Sequence, residues 1–144
     1  MNVTILLDTS CLVAALCSWH EHHERTRQEI ETRAAAKQRI VLSAHSLAET
    51  YAVLTRLPPP YRLRGTDALE LLERNWAGAK TVHLTGAETW RVLKDAEKRG
   101  VTGGRTYDAL IAAAALKANV RALITWNARN FAAFQDGLEV VTPS

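Results

Sequence analysis

The sequence has no apolar run long enough to cross a membrane. Nothing in its 144 residues approaches the roughly 20 consecutive apolar side chains that span a bilayer. The apolar start of the chain, 1–7, has no basic segment and ends at Asp8, so we interpret it as a buried strand rather than a signal peptide. We therefore expect no membrane partner.

Cysteine is scarce, and its spacing does not suit a metal site. The two cysteines, Cys11 and Cys17, fall in one predicted helix, and the sequence has no CxxC pair and no Cys/His zinc spacing. We interpret both as reduced thiols in the core of a cytoplasmic protein.

Composition and net charge exclude several broad classes of protein. Hydrophobic residues make up 47% of the chain and the net charge is +3, which suits a compact domain and not a disordered chain. The mildly basic balance is compatible with a polyanionic partner but does not demonstrate one. Because there is no internal repeat, low-complexity tract or second hydrophobic cluster, we expect 1–144 to form a single domain.

Short apolar segments alternate along the chain with helical segments. The predicted strands cover 3–7, 39–42, 80–84, 122–125 and 139–141. The predicted helices cover 11–16, 21–37, 44–57, 66–74, 86–99, 106–118 and 128–134. Within the fourth helix, Leu69, Leu71 and Leu72 are expected to face inward. The alternation predicts an α/β fold with a parallel sheet covered by helices on both faces.

Asp8 directly follows the first predicted strand. In open α/β sheets, ligands bind beyond the carboxyl ends of the strands, so a carboxylate at this position would face a binding site. The alternative is that Asp8 caps the next helix, which is worth about 0.5–2 kcal/mol. Thr9 and Ser10 could cap that helix equally well, so Asp8 taken alone leaves both interpretations open.

Two further carboxylates lie in helices with apolar neighbours. Glu49 lies among apolar residues of the third predicted helix, which indicates partial burial, and a buried carboxylate requires a cation. The alternative is a glutamate that faces solvent. Asp108 lies in the first turn of an alanine-rich helix, where it would either bind a ligand or interact with the helix dipole for about 0.3–1 kcal/mol.

These carboxylates are expected to meet at one edge of the sheet. The apparent topology brings together the ends of the first and fourth strands and the starts of two helices, with Asn127 just after the fourth strand. Three carboxylates so placed raise one another's pKa values unless a cation neutralises them. Oxygen ligands without histidine or cysteine favour magnesium or manganese over zinc.

Four segments, taken together, are similar to a known family. They are LLDTSCLVA at 6–14, SLAETY at 46–51, YDALIAAAA at 107–115 and TWNARNF at 125–131. In this order and spacing they resemble the PIN-domain nucleases, and most of all the VapC toxins of bacterial toxin–antitoxin pairs. The resemblance implies a three-layer α/β/α sandwich, endoribonuclease activity that depends on Mg²⁺ or Mn²⁺, a homodimer, and inhibition by a VapB-like antitoxin.

The resemblance also implies roles for individual residues. By position, Asp8, Glu49 and Asp108 match the three carboxylates of the family's active site. Asn127 and Asn130 stand where many members have further acids, so we expect one well-held ion rather than two. Asp8 and Asp108 would hold Mg²⁺, which activates water to hydrolyse RNA phosphodiester bonds. Glu49 would hold or deprotonate that water and Asn127 would orient it, leaving 5′-phosphate and 3′-hydroxyl ends.

Other functions agree less well with the sequence. A phospho-receiver domain would need a second acid beside Asp8 and a lysine after Ile124, and neither is present. A dinucleotide-binding enzyme would have GxGxxG after the first strand. The alternative to a nuclease is a non-catalytic PIN-like module that binds RNA or protein, because Asn127 lacks the charge of the usual aspartate. No base-reading motif identifies the RNA.

The histidines are interpreted as structural. His20, His22 and His23 lie next to Trp19 and are expected to form a surface cluster rather than a metal site. His45 could approach the carboxylates, although packing near a helix cap is the preferred interpretation.

The large aromatic residues are expected to be core or dimer contacts rather than platforms for bases; they are Tyr61, Trp76 and Trp90. Three further side chains are candidates for contact with a phosphate group, namely Thr9, Ser10 and Arg105.

Overall fold

A five-stranded parallel sheet lies at the centre of the computed structural model, which describes residues 3–135 and 137–144. The strands are β1 (Thr4–Leu7), β2 (Arg39–Ser43), β3 (Lys80–Val82), β4 (Ala122–Ile124) and β5 (Glu139–Val141). They lie in the order β3-β2-β1-β4-β5, and every neighbouring pair is parallel. The predicted α/β fold with a parallel sheet is confirmed.

Six α-helices and one 3₁₀ helix accompany these strands in the described residues. They are α1 (Thr9–Leu16), α2 (His23–Ala35), α3 (Ala44–Thr55), α4 (Gly65–Trp76), α5 (Gly86–Lys98), α6 (Arg105–Lys117) and the 3₁₀ helix Ala128–Phe134. Each corresponds to a predicted helix with bounds shifted by a few residues at most. None of them is long and apolar enough to span a membrane.

The two faces of the sheet support separate hydrophobic cores, because successive strand residues point to opposite faces. On one face, Leu6 and Leu123 pack with residues of α5, α6 and the 3₁₀ helix. On the other face, Ile5, Leu7 and Ile124 pack with residues of α1 and with partly buried residues of α2 and α3. Helices therefore cover both faces, which explains why the central strands are apolar at nearly every position.

Capping residues set the starts of two helices as the sequence predicted. Ser43 precedes α3, and its side chain accepts a hydrogen bond from the Ser46 backbone N–H at 3.0 Å. Thr85 precedes α5 and forms a capping box with Glu88, in which each side chain accepts from the other residue's backbone N–H. These bonds satisfy N–H groups that the first turn of a helix leaves without partners.

The inward direction expected for Leu69 of α4 is wrong. Leu69 is 52% exposed, whereas Ala68 and Leu72 are buried. Residues four apart lie on the same side of a helix, so Ala68 and Leu72 define the buried side. Leu69 is rotated from Ala68 by about 100° and therefore points away from that buried side.

The strand order reverses next to β1. The chain adds β2 and β3 on one side of β1 and then places β4 and β5 on the other. Beyond the carboxyl ends of β1 and β4 the connections diverge, and open α/β sheets bind ligands at such a point. Because Leu7 pairs with Ile124, the next residues, Asp8 and Thr125, lie side by side at this reversal.

Candidate active site

Asp8 is held at the carboxyl end of β1 by side chains from two segments. The Thr125 hydroxyl donates to Asp8 Oδ2 at 2.7 Å, and the Ser10 hydroxyl donates to the same oxygen at 2.8 Å. Asp8 occupies the N-cap position of α1, but its side chain makes no capping hydrogen bond. Helix capping therefore does not explain the position of its carboxylate.

The Asp8 side chain is also withdrawn from water, with 4% of the residue exposed. Burial raises the pKa of Asp8, and the hydrogen bonds from Thr125 and Ser10 oppose this rise by stabilising the ionised form. Hydrogen-bond donors already stabilise one side of this buried carboxylate, and a cation bound on its other side would stabilise the ionised form further.

Hydroxyl groups tie the start of α1 to the segment after β4 and to α3. Ser10 Oγ accepts from the Trp126 backbone N–H at 3.0 Å. Thr9 Oγ1 donates to Ser46 Oγ of α3 at 3.0 Å, in a buried contact. Three separate parts of the chain are thereby fixed around Asp8.

Glu49 lies on α3 with a side chain that is 30% exposed, which agrees with the predicted partial burial. His45, one turn earlier, places Nε2 at 3.9 Å from Glu49 Oε1. The His45 ring also stacks on Tyr107, with centroids 4.9 Å apart. His45 Nε2 is buried and has no hydrogen-bond partner in the described part of the chain. His45 therefore lies beside Glu49 as well as near the start of α3.

Asp108 lies in the first turn of α6, and its pKa is raised to about 6. The main cause is burial, followed by the negative charges of Asp8 and Glu49, while Arg105 acts in the opposite direction. A helix dipole alone would lower the pKa of an acid in this turn, so the dipole does not account for Asp108. The effect of Asp8 and Glu49 on Asp108 means that the three carboxylates share one electrostatic environment.

The structure brings four of the predicted site residues to one cavity of about 430 Å³, which we call the acid cavity. Its lining includes Asp8, Glu49, Asp108 and Asn127. Thr9 and Ser10 also line it, as expected of phosphate-contacting candidates, but Arg105 does not. Asn130 lies instead at a neighbouring hollow with Asn127 and Arg129. The shared location is observed, and the catalytic roles stay a prediction.

The donor set of the acid cavity suits a hard divalent cation. Carboxylate, amide and hydroxyl oxygens are the ligands that Mg²⁺ and Mn²⁺ prefer. Within 3–135 and 137–144, however, no three His, Cys, Asp or Glu side chains form a group that could hold a metal ion. The carboxylates therefore surround the cavity without converging, which fits an ion that keeps several of its own waters, as Mg²⁺ usually does.

Two histidines border the acid cavity, which the sequence did not reveal. His20 and His22 line it together with Trp126. The His22 ring stacks on the Trp126 ring with centroids 3.8 Å apart and planes 8° apart. The expected cluster forms from Trp19, His20 and His22, and the two histidines are part of the rim of the site. His23 lies apart from this rim, with Nδ1 2.9 Å from the Ala14 carbonyl oxygen.

Other side-chain predictions had mixed outcomes. Cys11 and Cys17 are both buried free thiols, as expected. Trp76 is partly buried against the second core, but Tyr61 is 42% and Trp90 66% exposed, so a core position is wrong for these two.

Thr125 is the functional contact that sequence reasoning missed. The sequence places Thr125 at the end of the fourth predicted strand, but it does not predict the hydrogen bond from Thr125 to Asp8. The available signal was strand adjacency, because a residue that follows β4 must neighbour the one that follows β1 once those strands pair.

Sequence comparison identifies relatives of the chain. A sequence model of the PIN domain matches residues 5–136. Ribonuclease VapC40 of Mycobacterium tuberculosis (strain ATCC 25618 / H37Rv) is 35% identical over 116 residues, which cover 81% of each chain. Ribonuclease VapC27 of the same strain is 39% identical over 116 residues, covering 80% of this chain and 79% of that protein.

Solved structures share the fold. Mycobacterium tuberculosis VapC20, described as a sarcin-ricin loop cleaving toxin, has a TM-score of 0.71 at 19% identity over 90% of this chain and 94% of its own. VapBC2 from Rickettsia felis, bound to a promoter DNA fragment, has a TM-score of 0.72 at 19% identity, and the match covers 99% of this chain and 100% of that chain. These likenesses support the three-layer architecture. Since the PIN model also spans β1 to the end of the 3₁₀ helix, the chain belongs to the PIN-domain family.

Proposed function

We propose that this protein is a metal-dependent endoribonuclease and the toxin of a type II toxin–antitoxin pair. The observation that carries the proposal is the acid cavity at the point where the strand order reverses, in which burial and the charges of Asp8 and Glu49 raise the pKa of Asp108. The relatives named ribonucleases VapC40 and VapC27 support the choice of RNA as substrate.

Asp8 and Asp108 are the proposed holders of Mg²⁺ or Mn²⁺, because Asp8 is buried, Asp108 is partly buried, and the negative charge of Asp8 helps to raise the pKa of Asp108. When bound, such an ion neutralises charge on the phosphate and lowers the pKa of the attacking water. Ser10 and Thr125 keep the Asp8 carboxylate oriented toward this role through their bonds to Oδ2.

The remaining site residues position and deprotonate water. Glu49, partly exposed on the cavity wall, accepts the proton of the attacking water. Asn127, exposed at the mouth of the acid cavity, orients the water or a phosphate oxygen through its amide. The water oxygen bonds to phosphorus, the bond from phosphorus to O3′ breaks, and the leaving O3′ takes up a proton. The products carry 5′-phosphate and 3′-hydroxyl ends.

A VapB-like antitoxin is the proposed inhibitor. Solved complexes from Rickettsia felis and Salmonella typhimurium are named VapBC, and in each complex the matched chain shares this fold. A single domain over 1–144, a homodimer and a cytoplasmic location belong to the same proposal.

The proposal is tested by incubating the purified protein with bacterial total RNA in Mn²⁺, Mg²⁺ or EDTA. We expect cleavage only with a divalent ion, and new ends that a 5′-phosphate-dependent exonuclease can degrade. Asp108→Asn should slow cleavage on the order of 10²–10³-fold, since it removes a charge from the reacting region. The matched control is Asp67→Asn, because Asp67 also lies in the first turn of a helix but is exposed and outside the acid cavity.

Two outcomes would count against the proposal. If the wild-type protein cleaves RNA equally well in EDTA, the acid cavity does not act through a metal. If neither ion supports cleavage and expression without an antitoxin leaves bacterial growth unaffected, the non-catalytic PIN-like module becomes the better description.

A further inference from the structure

A row of aromatic rings leads from the acid cavity to the protein surface. We call it the aromatic row, and its members in spatial order are Trp126, His22, His20, Trp19 and Tyr61. Successive ring centroids are 3.8, 5.7, 5.9 and 4.2 Å apart. The row joins three segments that are distant in sequence, so it is a feature of the folded chain rather than of a local motif.

The inner end of the aromatic row is fixed at the acid cavity. Trp126, His22 and His20 all line that cavity. Trp126 Nε1 donates to Thr26 Oγ1 at 2.7 Å, and the same hydroxyl donates to the His22 carbonyl at 2.7 Å. The Trp126 backbone N–H also donates to Ser10 Oγ, and Ser10 Oγ donates to Asp8 Oδ2. The rings therefore hold a set position relative to the carboxylates.

The outer end of the aromatic row is open to solvent. Trp19 is 46% exposed and Tyr61 is 42% exposed, although their rings stack on each other with planes 27° apart. Exposed tryptophan is uncommon on a protein surface, where large apolar side chains lose the benefit of burial. Two such rings in contact, continuous with a proposed active site, indicate a binding surface.

We propose that the aromatic row is a subsite for the unpaired bases of a single-stranded RNA whose scissile phosphate lies in the acid cavity. This inference rests on the proposed ribonuclease function and adds the part of the substrate that is recognised. Base faces stack on aromatic side chains regardless of sequence, and sequence-specific proteins add contacts to base edges. Trp19 and Tyr61 are therefore residues that determine the affinity for RNA. Stacking on the row also requires that the bases on one side of the scissile phosphate are unpaired.

The chemistry of the row favours bases over the phosphate backbone. Burial lowers the pKa of His20, with a further contribution from His22, which favours a neutral ring at neutral pH. The row thus presents aromatic ring faces beside a cavity of carboxylates. A nucleic acid that uses it would place bases on the rings and a phosphate in the acid cavity.

The test measures binding separately from cleavage. In an Asp108→Asn background, fluorescence anisotropy gives the Kd of a single-stranded RNA of about 12 nucleotides with mixed sequence. The comparison probes are an oligonucleotide of the same length with tetrahydrofuran abasic residues, and a duplex of the same sequence. Trp19→Ala should weaken binding of the single strand by roughly 10-fold and leave the other two probes unchanged. Trp19→Phe keeps a ring and should retain most of the affinity.

Trp90→Ala is the matched control, since Trp90 is the more exposed tryptophan and is outside both the row and the acid cavity. It should change none of the three Kd values. The melting temperature of each variant shows whether loss of the Trp19–Tyr61 stack disturbs the fold. If Trp19→Ala disturbs the fold, the comparison of Trp19→Phe with wild type still tests the proposal.

The outcomes separate this inference from the proposed function. In the otherwise wild-type protein, Trp19→Ala should raise the KM for RNA cleavage with little change in kcat. If the wild-type protein cleaves RNA and Trp19→Ala has the same KM, the subsite is wrong while the ribonuclease assignment stands. An equal loss of affinity for the abasic probe would also overturn the proposed base subsite. An effect of Trp19→Ala confined to antitoxin binding would overturn it as well, because the aromatic row would then be a protein interface.

Discussion

Asp108 and Glu88 both lie in the first turn of a helix, in two helices that pack against each other, yet their pKa values move in opposite directions. Each lies in the first turn of its helix, Asp108 in α6 and Glu88 in α5. Lys117 Nζ donates to Glu88 Oε1 at 2.7 Å and the Thr85 backbone N–H donates at 2.8 Å, which lowers the pKa of Glu88 to about 2. Burial and the charges of Asp8 and Glu49 raise the pKa of Asp108 to about 6.

The helix dipole acts on both carboxylates in the same direction, so it does not cause this difference. Tertiary neighbours decide it, because Glu88 meets a cation and Asp108 meets two further anions. Glu88 joins α5 to α6 through Lys117, whose charge already stabilises the Glu88 carboxylate. Asp108 is left in an environment that a bound cation would relieve, which is the usual mark of a functional carboxylate.

The largest expected effect concerns divalent ions. Mn²⁺ at about 100 times its Kd should stabilise the wild-type protein by about 2.7 kcal/mol, because it binds the folded state only. Asp8→Asn should lose most of this gain, whereas Glu88→Gln should retain it. Thermal unfolding with and without Mn²⁺ measures both. Equal gains in wild type and Asp8→Asn would mean that the ion binds elsewhere.

The second prediction concerns Asp108 without metal. Its folded pKa of about 6 exceeds the ordinary value of 3.8, so the folded state binds more protons between those values. Stability from this group therefore falls as pH rises from about 4 to 6. Asp108→Asn in EDTA should be more stable than wild type at pH 7 by roughly 1 kcal/mol, allowing for screening by solvent.

Urea unfolding at pH 7 and pH 4 measures this difference, which should disappear at the lower pH. Asp67→Asn is the control for the helix dipole, since it removes an exposed first-turn charge that lies outside the acid cavity. It should be neutral or slightly destabilising. A destabilising Asp108→Asn at pH 7 would contradict the raised pKa.

The third prediction concerns Asn127. Asn127→Asp adds a charge to the lining of the acid cavity, so the variant should melt below wild type in EDTA by like-charge repulsion. Because Asn127 is exposed, we expect the change to stay under about 1 kcal/mol. The variant should also gain more than wild type from Mn²⁺.

Asn130→Asp is the matched control for that change. Asn130 lies at the neighbouring hollow rather than in the acid cavity, so its substitution should leave the response to Mn²⁺ unchanged. If both variants respond alike, Asn127 does not contribute to the ion site.

The smallest expected effect concerns Glu88→Gln. Glutamine can still accept the Thr85 N–H in a capping box, so the substitution removes the charge that faces Lys117 and keeps the cap. The pKa of Glu88 is lowered, so its contribution to stability is complete above about 4.5 and is lost as pH falls toward 2. Melting curves of wild type and variant should differ slightly at pH 6 and converge near pH 2. A gap that persists at pH 2 would point to packing rather than charge.

The strands and helices could be predicted because each carries its own signal. The apolar residues of β1 and β4, and the caps at Ser43 and Thr85, act within a few residues of themselves. Leu69 could not be placed in the same way, since which side of α4 is buried depends on how that helix packs.

The candidate site was predictable only in outline. Asp8 could be assigned to the binding site at the carboxyl end of the sheet from its position after β1. The Thr125 hydroxyl that holds Asp8 lies 117 residues away, and no local pattern pairs the two. The stacking of His22 on Trp126, which builds the inner end of the aromatic row, likewise spans distant segments.

The sequence by itself determined the alternation of strands and helices, the positions of their ends, and the placement of Asp8 and Asp108 at those ends. These properties follow from side-chain periodicity and from capping, which are local. Only the tertiary structure decided that β1 and β4 lie side by side, that Asp108 has anions rather than a lysine as neighbours, and that Trp19 and Tyr61 stack. Those outcomes depend on interactions through space, whose strength follows distance and burial rather than separation along the chain.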